Sequence, residues 1–155
     1  DYRLEKSIEL GATDTINPDN VNPIEAIAEL THGQGLDVVV DASGDPEGLN
    51  QAVSFVNRYG KVLGFSLISL GSVIPFKHMD WMRSIATIIP CSSRGSGDPT
   101  ADIKELVSLM DRGWVDPAKL ITHRMTFDDI PEAYEMYSKQ QDGIIKAVMA
   151  VNGGG

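Results

Sequence analysis

The chain has 155 residues, 42% hydrophobic and 23% charged, the balance of one globular domain with a single core. Its formal net charge of −9 argues against a nucleic-acid or anionic-membrane partner, because both need a basic face. Cys91 is the only cysteine, which excludes a disulfide framework and any multi-cysteine zinc site built by this chain alone.

The first expected element is a helix from Asp1 to Leu10. Leu4 and Ile8 share its apolar face, and Gly11 suits the left-handed position after its end. A short strand is expected around Thr15-Ile16, followed by the turn pair Asn17-Pro18. Asn22-Pro23-Ile24-Glu25 signals the next helix: Asn22 accepts from free amides, Pro23 fits the first helical position and Glu25 completes a capping box. That helix, Pro23–Thr31, stops at Gly33-Gln34-Gly35. Leu36-Asp37-Val38-Val39-Val40 is a continuous apolar run, as in a parallel strand covered on both faces. Asp45-Pro46 opens a helix through Asn57, Tyr59-Gly60 turns the chain, and Lys61–Phe65 is a further strand.

Strict alternation of strand and helix to this point predicts βαβ units with right-handed crossovers. The fold class is therefore α/β, read as the second half of a doubly wound (Rossmann-like) parallel sheet. Ser72-Val73-Ile74 suggests a short edge strand ended by Pro75. Then follow a helical turn at His78–Ser84, a strand at Ile85–Ile89 and a loop over Ser92–Pro99. Ala101–Arg112 is an amphipathic helix stopped by Gly113. A strand at Leu120–Thr122, a helix from Asp129 to about Gln140 and a last strand at Ile144–Val151 complete the order. The tail 152–155 reads as a frayed end or an added segment. No apolar run approaches the about 20 residues of a membrane span, no secretion signal is recognisable, and the expected location is cytoplasmic.

In such sheets ligands lie across the carboxyl ends of the strands. Here those ends are Asp41-Ala42-Ser43-Gly44, Phe65-Ser66-Leu67 and Cys91-Ser92-Ser93. They are small or turn-forming, so a flat ring could approach the backbone. Tight turns need small residues anyway, and composition alone favours that plainer reading. The expected phosphate cradle, Gly-x-Gly-x-x-Gly between a strand and a helix, is missing: Gly33-Gln34-Gly35 precedes a strand, and Gly95-Ser96-Gly97 has no third glycine in register.

The segments SIELGATDTINP, AELTHGQGLDVVVDASG, RYGKVLGFSL and LITHRMTFDDIPEAYEMY, closed by GIIKAVMAV, resemble the medium-chain dehydrogenase/reductase family. The similarity is closest to its zinc-type alcohol, polyol and threonine dehydrogenases, in order along the chain up to the glycine tail. The resemblance implies that residues 1–118 are the C-terminal part of a dinucleotide-binding domain whose first strands and glycine loop lie upstream. Residues 119–151 would then return to dock on a catalytic domain, with 152–155 as a tail.

It also implies site residues. Ala42, Ser43, Phe65, Ser66 and Leu67 match positions whose backbone lines the nicotinamide and its ribose, and Cys91, Ser92 and Ser93 match a stretch that helps to hold the carboxamide. Arg3 falls where the family often places a basic residue beside the adenosine ribose, or is a solvated helix charge. Asp1 falls too late to be the ribose-binding acid and reads as a helix-start residue. Lys146 matches a position that meets the pyrophosphate, the alternative being a solvent-facing strand lysine.

His32, His78 and His123 lack a second ligand at metal spacing, and Cys91 otherwise reads as a small buried residue. The implied cofactors are NAD or NADP, with NAD slightly favoured, and zinc held by the parent protein rather than by this chain. No catalytic residue is expected here. The implied activity is zinc-assisted hydride transfer between an alcohol or polyol and its carbonyl. The alternatives are a zinc-independent quinone or enoyl reductase of the same family, whose paired glycines are absent from DASGDPEGLNQAV, or a non-enzymatic nucleotide-binding or assembly module. A homo-oligomer paired through the edge near Ser72–Ile74 is also implied.

Overall fold

The computed structural model describes residues 2–69, 71–91 and 97–151. The chain divides into two compact units, one of residues 16–99 and the other of residues 1–15 with 100–155.

The central unit begins with α2, Pro23–Leu30, preceded in the chain by α1, Tyr2–Glu9, of the other unit. Asn22 caps α2 as its side chain predicts, accepting from the Ile24 N–H at 2.9 Å, with Pro23 in the first turn. Then follow β1 (Leu36–Asp41), α3 (Gly48–Phe55), β2 (Val56–Gly64), α4 (His78–Ser84) and β3 (Thr87–Pro90). The three strands are parallel in the order β1-β2-β3, the βαβ arrangement that the alternation predicts. Strand β2 starts earlier than expected. Leu36 pairs with Val56, the register then slips, and regular pairing resumes at Val38 with Lys61. The Tyr59-Gly60 turn is thus a bulge inside the strand, with Tyr59 at φ +71°.

The core of this unit is Ala52, Val53, Val56, Val62 and Ala86, backed by Val39, Leu49, Phe76, Trp81 and Ile88. Helices α3 and α4 pack on the sheet and on one another. Asn50, almost wholly buried, fastens the segment after β2: its amide donates to the Pro75 carbonyl at 2.9 Å, and its Oδ1 accepts from the Lys77 N–H at 2.9 Å. The continuous run of β1 predicts cover on both faces. Only the Val39 side is covered, and Val38 and Val40 remain 52% and 56% exposed.

The other unit comprises α1, α5 (Pro99–Asp111), β4 (Ile121–Thr126), α6 (Ile130–Lys139) and β5 (Lys146–Ala150), with β4 and β5 parallel. Thr122 is bulged out of the ladder, and its hydroxyl accepts from the Ile145 N–H at 3.0 Å. Thr126 and Asp129 form a capping box ahead of α6.

Two expected strands are absent. Thr15-Ile16 is irregular chain between α1 and α2, and Ser72–Ile74 is irregular chain between β2 and α4. Both stretches are apolar enough for a strand, but neither has a ladder partner among the described residues, and a strand without a partner leaves its backbone groups unpaired. The Asp45-Pro46 helix start is late by two positions, since residues 46 and 47 form a turn before α3. The helical turn at His78–Ser84 is a full short helix.

Candidate functional site at the strand ends

The carboxyl ends of β1, β2 and β3 lie together because the strands are parallel and in register: Asp41 pairs with Gly64, and Gly64 with Pro90. The chain leaves these ends in a fixed order. The Phe65 N–H donates to the Asp41 carbonyl, and the Cys91 N–H to the Gly64 carbonyl, both at 2.9 Å. Ala42 and Ser43 are exposed, and Phe65 and Leu67 are 60% and 87% exposed. The apolar side chains of Ala42, Phe65 and Leu67 are presented outward at the position where sheets of this type take ligands.

Beneath them lies a polar cluster. Asp41 is buried, and its Oδ1 accepts from the Ser43 and Ser66 hydroxyls at 2.7 Å each and from the Ser43 N–H at 3.1 Å. Burial pushes the Asp41 carboxyl up, but the hydrogen bonds from Ser66 and Ser43 outweigh it and hold the group below its usual value. The first turn of α3 closes over this cluster only because residue 48 is glycine, since a Cβ there would fall within 2.5 Å of Asp41 Oδ1.

Of the residues expected at the site, Ala42, Ser43, Phe65, Ser66, Leu67 and Cys91 are brought together at this sheet end. Ser92 and Ser93 lie outside the described residues. Arg3 and Lys146 belong to the other unit. The Arg3 guanidinium donates to the Tyr2 hydroxyl at 3.1 Å and to the Ile144 carbonyl at 3.4 Å. Lys146 is exposed on β5 and borders an open cleft of about 460 Å³ with Tyr134 and Tyr137. The histidines take ordinary places: His78 meets the Trp81 ring edge-on at 5.8 Å, and His123 Nδ1 lies 2.9 Å from the Thr122 hydroxyl. Among the described residues no group of His, Cys, Asp and Glu could hold a metal ion, and no helix is long and apolar enough to cross a membrane.

Sequence reasoning missed the part played by Asp41 and Gly48. An acid ending an apolar strand, two residues before a serine, was visible. Its link to Ser66 was not, because that contact spans 25 positions.

The pattern of the family described as zinc-binding dehydrogenase matches residues 1–112. Among relatives, an alcohol dehydrogenase of Cupriavidus necator is 26% identical over 94% of this chain and 39% of its own length. An NADP-dependent isopropanol dehydrogenase of Thermoanaerobacter brockii is 31% identical over 90% of this chain and 40% of its own. In three dimensions, benzyl alcohol dehydrogenase of Acinetobacter calcoaceticus superposes with a TM-score of 0.83 at 31% identity, over 97% of this chain and 40% of that one. The chain therefore spans about 40% of the length of the relatives it matches.

Proposed function

This chain belongs to the zinc-binding dehydrogenase family, and we propose from that premise that it is the cofactor-domain part of an NAD(P)-dependent, cytoplasmic oxidoreductase that interconverts an alcohol or polyol and its carbonyl. The observation that carries this reading is the aligned ends of β1, β2 and β3, where Ala42, Phe65 and Leu67 stand exposed above a satisfied polar base. That surface suits a flat heteroaromatic ring: apolar side chains and open backbone at the rim, with the Asp41 Oδ1 beneath them taken up by the Ser43 and Ser66 hydroxyls. Ala42, Ser43, Phe65, Ser66 and Leu67 would border the nicotinamide and its ribose. Cys91, Ser92 and Ser93 would border the carboxamide, Arg3 the adenosine ribose and Lys146 the pyrophosphate. When bound, the nicotinamide supplies the hydride acceptor or donor, which no side chain of this chain can replace.

The described residues do not fit zinc, since they gather no ligand cluster, so no step through a metal is derived from them. On this reading residues 1–118 are cofactor domain and residues 119–151 return to dock on a catalytic domain that supplies the metal. Association through residues 72–74 also follows from it. Val73 is 94% exposed, and a strand formed only by pairing with another chain is irregular in an isolated one.

NADH fluorescence titration of the 155-residue chain tests the cofactor assignment. Weak or undetectable binding is expected, because the glycine cradle for the pyrophosphate is missing; tight binding would overturn that account of the site. A chain extended upstream to the length of its relatives should reduce NAD(P) in the presence of an alcohol and lose that activity to a chelator. Chelator-resistant reduction of a quinone would instead establish the zinc-independent alternative.

A further inference from the structure

The turn after β1 and the end of β2 are joined through one carboxylate oxygen. Asp41 Oδ1 takes both the Ser43 and the Ser66 hydroxyl. Each serine passes the restraint on: Ser66 Oγ accepts from the Gly44 N–H at 3.0 Å, and Ser43 Oγ from the Asp45 N–H at 3.1 Å. Ser66 Oγ also lies 3.2 Å from the Asp41 carbonyl. With Asp41 only 8% exposed and α3 closing over it at Gly48, its Oδ1 is committed to its own loops.

We infer that Asp41 is a positioning residue whose Oδ1 holds the 43–45 turn and the 65–66 strand end as one ledge, on which Ala42, Phe65 and Leu67 are presented. The use of that ledge for a nicotinamide rests on the function proposed above; the tie itself does not. A hydroxyl that donates to a carboxylate while accepting from an amide is oriented at both ends, and such charge-assisted bonds are roughly twice as strong as neutral ones. Three residues thereby fix two loops that would otherwise move independently.

Amide hydrogen exchange of the full chain reads the tie. Asp41→Ala should speed exchange at Ser43 and Gly44 by about tenfold relative to the core amide of Val62, the change that losing one net hydrogen bond produces. Asp41→Asn keeps an accepting oxygen in place and should restore protection to within about threefold of the original. If Asp41→Ala does not fold, Ser66→Ala decides. It removes only the cross-loop strut, so Gly44 should lose protection while Ser43, bonded directly to Asp41, keeps it. Unchanged Gly44 exchange in Ser66→Ala, or equal acceleration at Ser43, Gly44 and Val62 in a folded Asp41→Ala, overturns the proposal. Nicotinamide mononucleotide addresses the ledge's use separately. Shifts of the Ala42 and Phe65 amides in the chain extended upstream to the length of its relatives support it, and no shift there removes the nicotinamide reading while exchange still decides the tie.

Discussion

The Tyr2 hydroxyl donates to the Ile144 carbonyl at 3.0 Å, across 142 positions of sequence. Ile144 is fully buried, so this bond anchors the first helix to the entry of the last strand and satisfies a carbonyl that water does not reach freely. The Arg3 guanidinium reaches the same oxygen at 3.4 Å.

Tyr2→Phe should therefore destabilise the chain by about 1 kcal/mol, the net worth of one hydrogen bond. Arg3→Ala should cost less, since its bond is longer and partly exposed. Urea unfolding of both variants checks the order, and a larger loss for Arg3→Ala would contradict it.

Asn50 offers a harsher case. Its side chain bonds to Pro75 and Lys77, and its amide also lies 3.3 Å from the Glu47 carboxylate. Asn50→Leu matches the volume but strands a carbonyl and an N–H at a buried position, which costs about 1–3 kcal/mol for each group left unpaired. The expected outcome is a lower urea midpoint together with faster proteolysis between residues 65 and 77. Cleavage at the original rate would show that the segment is held by other means.

The depressed Asp41 carboxyl gives a pH dependence of definite sign. Its unfolded value is near 3.8 and its folded value is lower, so its stabilising effect is complete above the unfolded value and is lost as pH falls through the folded one. Ser66→Ala and Ser43→Ala should each flatten stability against pH in that acid range. Asp129 is shifted in the same direction by the Thr126 hydroxyl and N–H, but it lies near the surface, where water screens it, and its effect on stability should be slight. Carboxyl titration by NMR distinguishes the two groups.

Ile85 closes α4 at φ +52°, a left-handed position that costs an L-residue about 1–2 kcal/mol. Its side chain is 46% exposed, so Ile85→Gly relieves strain and gives up only part of a buried surface. The variant should be as stable as the original or more so by up to about 1 kcal/mol. A clear fall in thermal midpoint would show that the buried part of Ile85 outweighs the strain.

The features legible in the sequence were those set by neighbours along the chain. Asn22-Pro23 starts α2 because a side-chain oxygen meets an amide two residues on. The alternation through β1, α3 and β2 predicts a parallel sheet because short links leave few other ways to bury two apolar faces. The segments carrying the family resemblance were likewise readable. Contacts between distant positions were not: the Ser66 strut on Asp41, the Asn50 clamp on residues 75–77 and the Tyr2 bond to Ile144 join groups whose identities say nothing of each other. Strand status at Thr15-Ile16 and Ser72–Ile74 failed for the same reason. A helix satisfies its own backbone, whereas a strand exists only where a partner supplies the other half of the ladder, and that is decided by the tertiary structure.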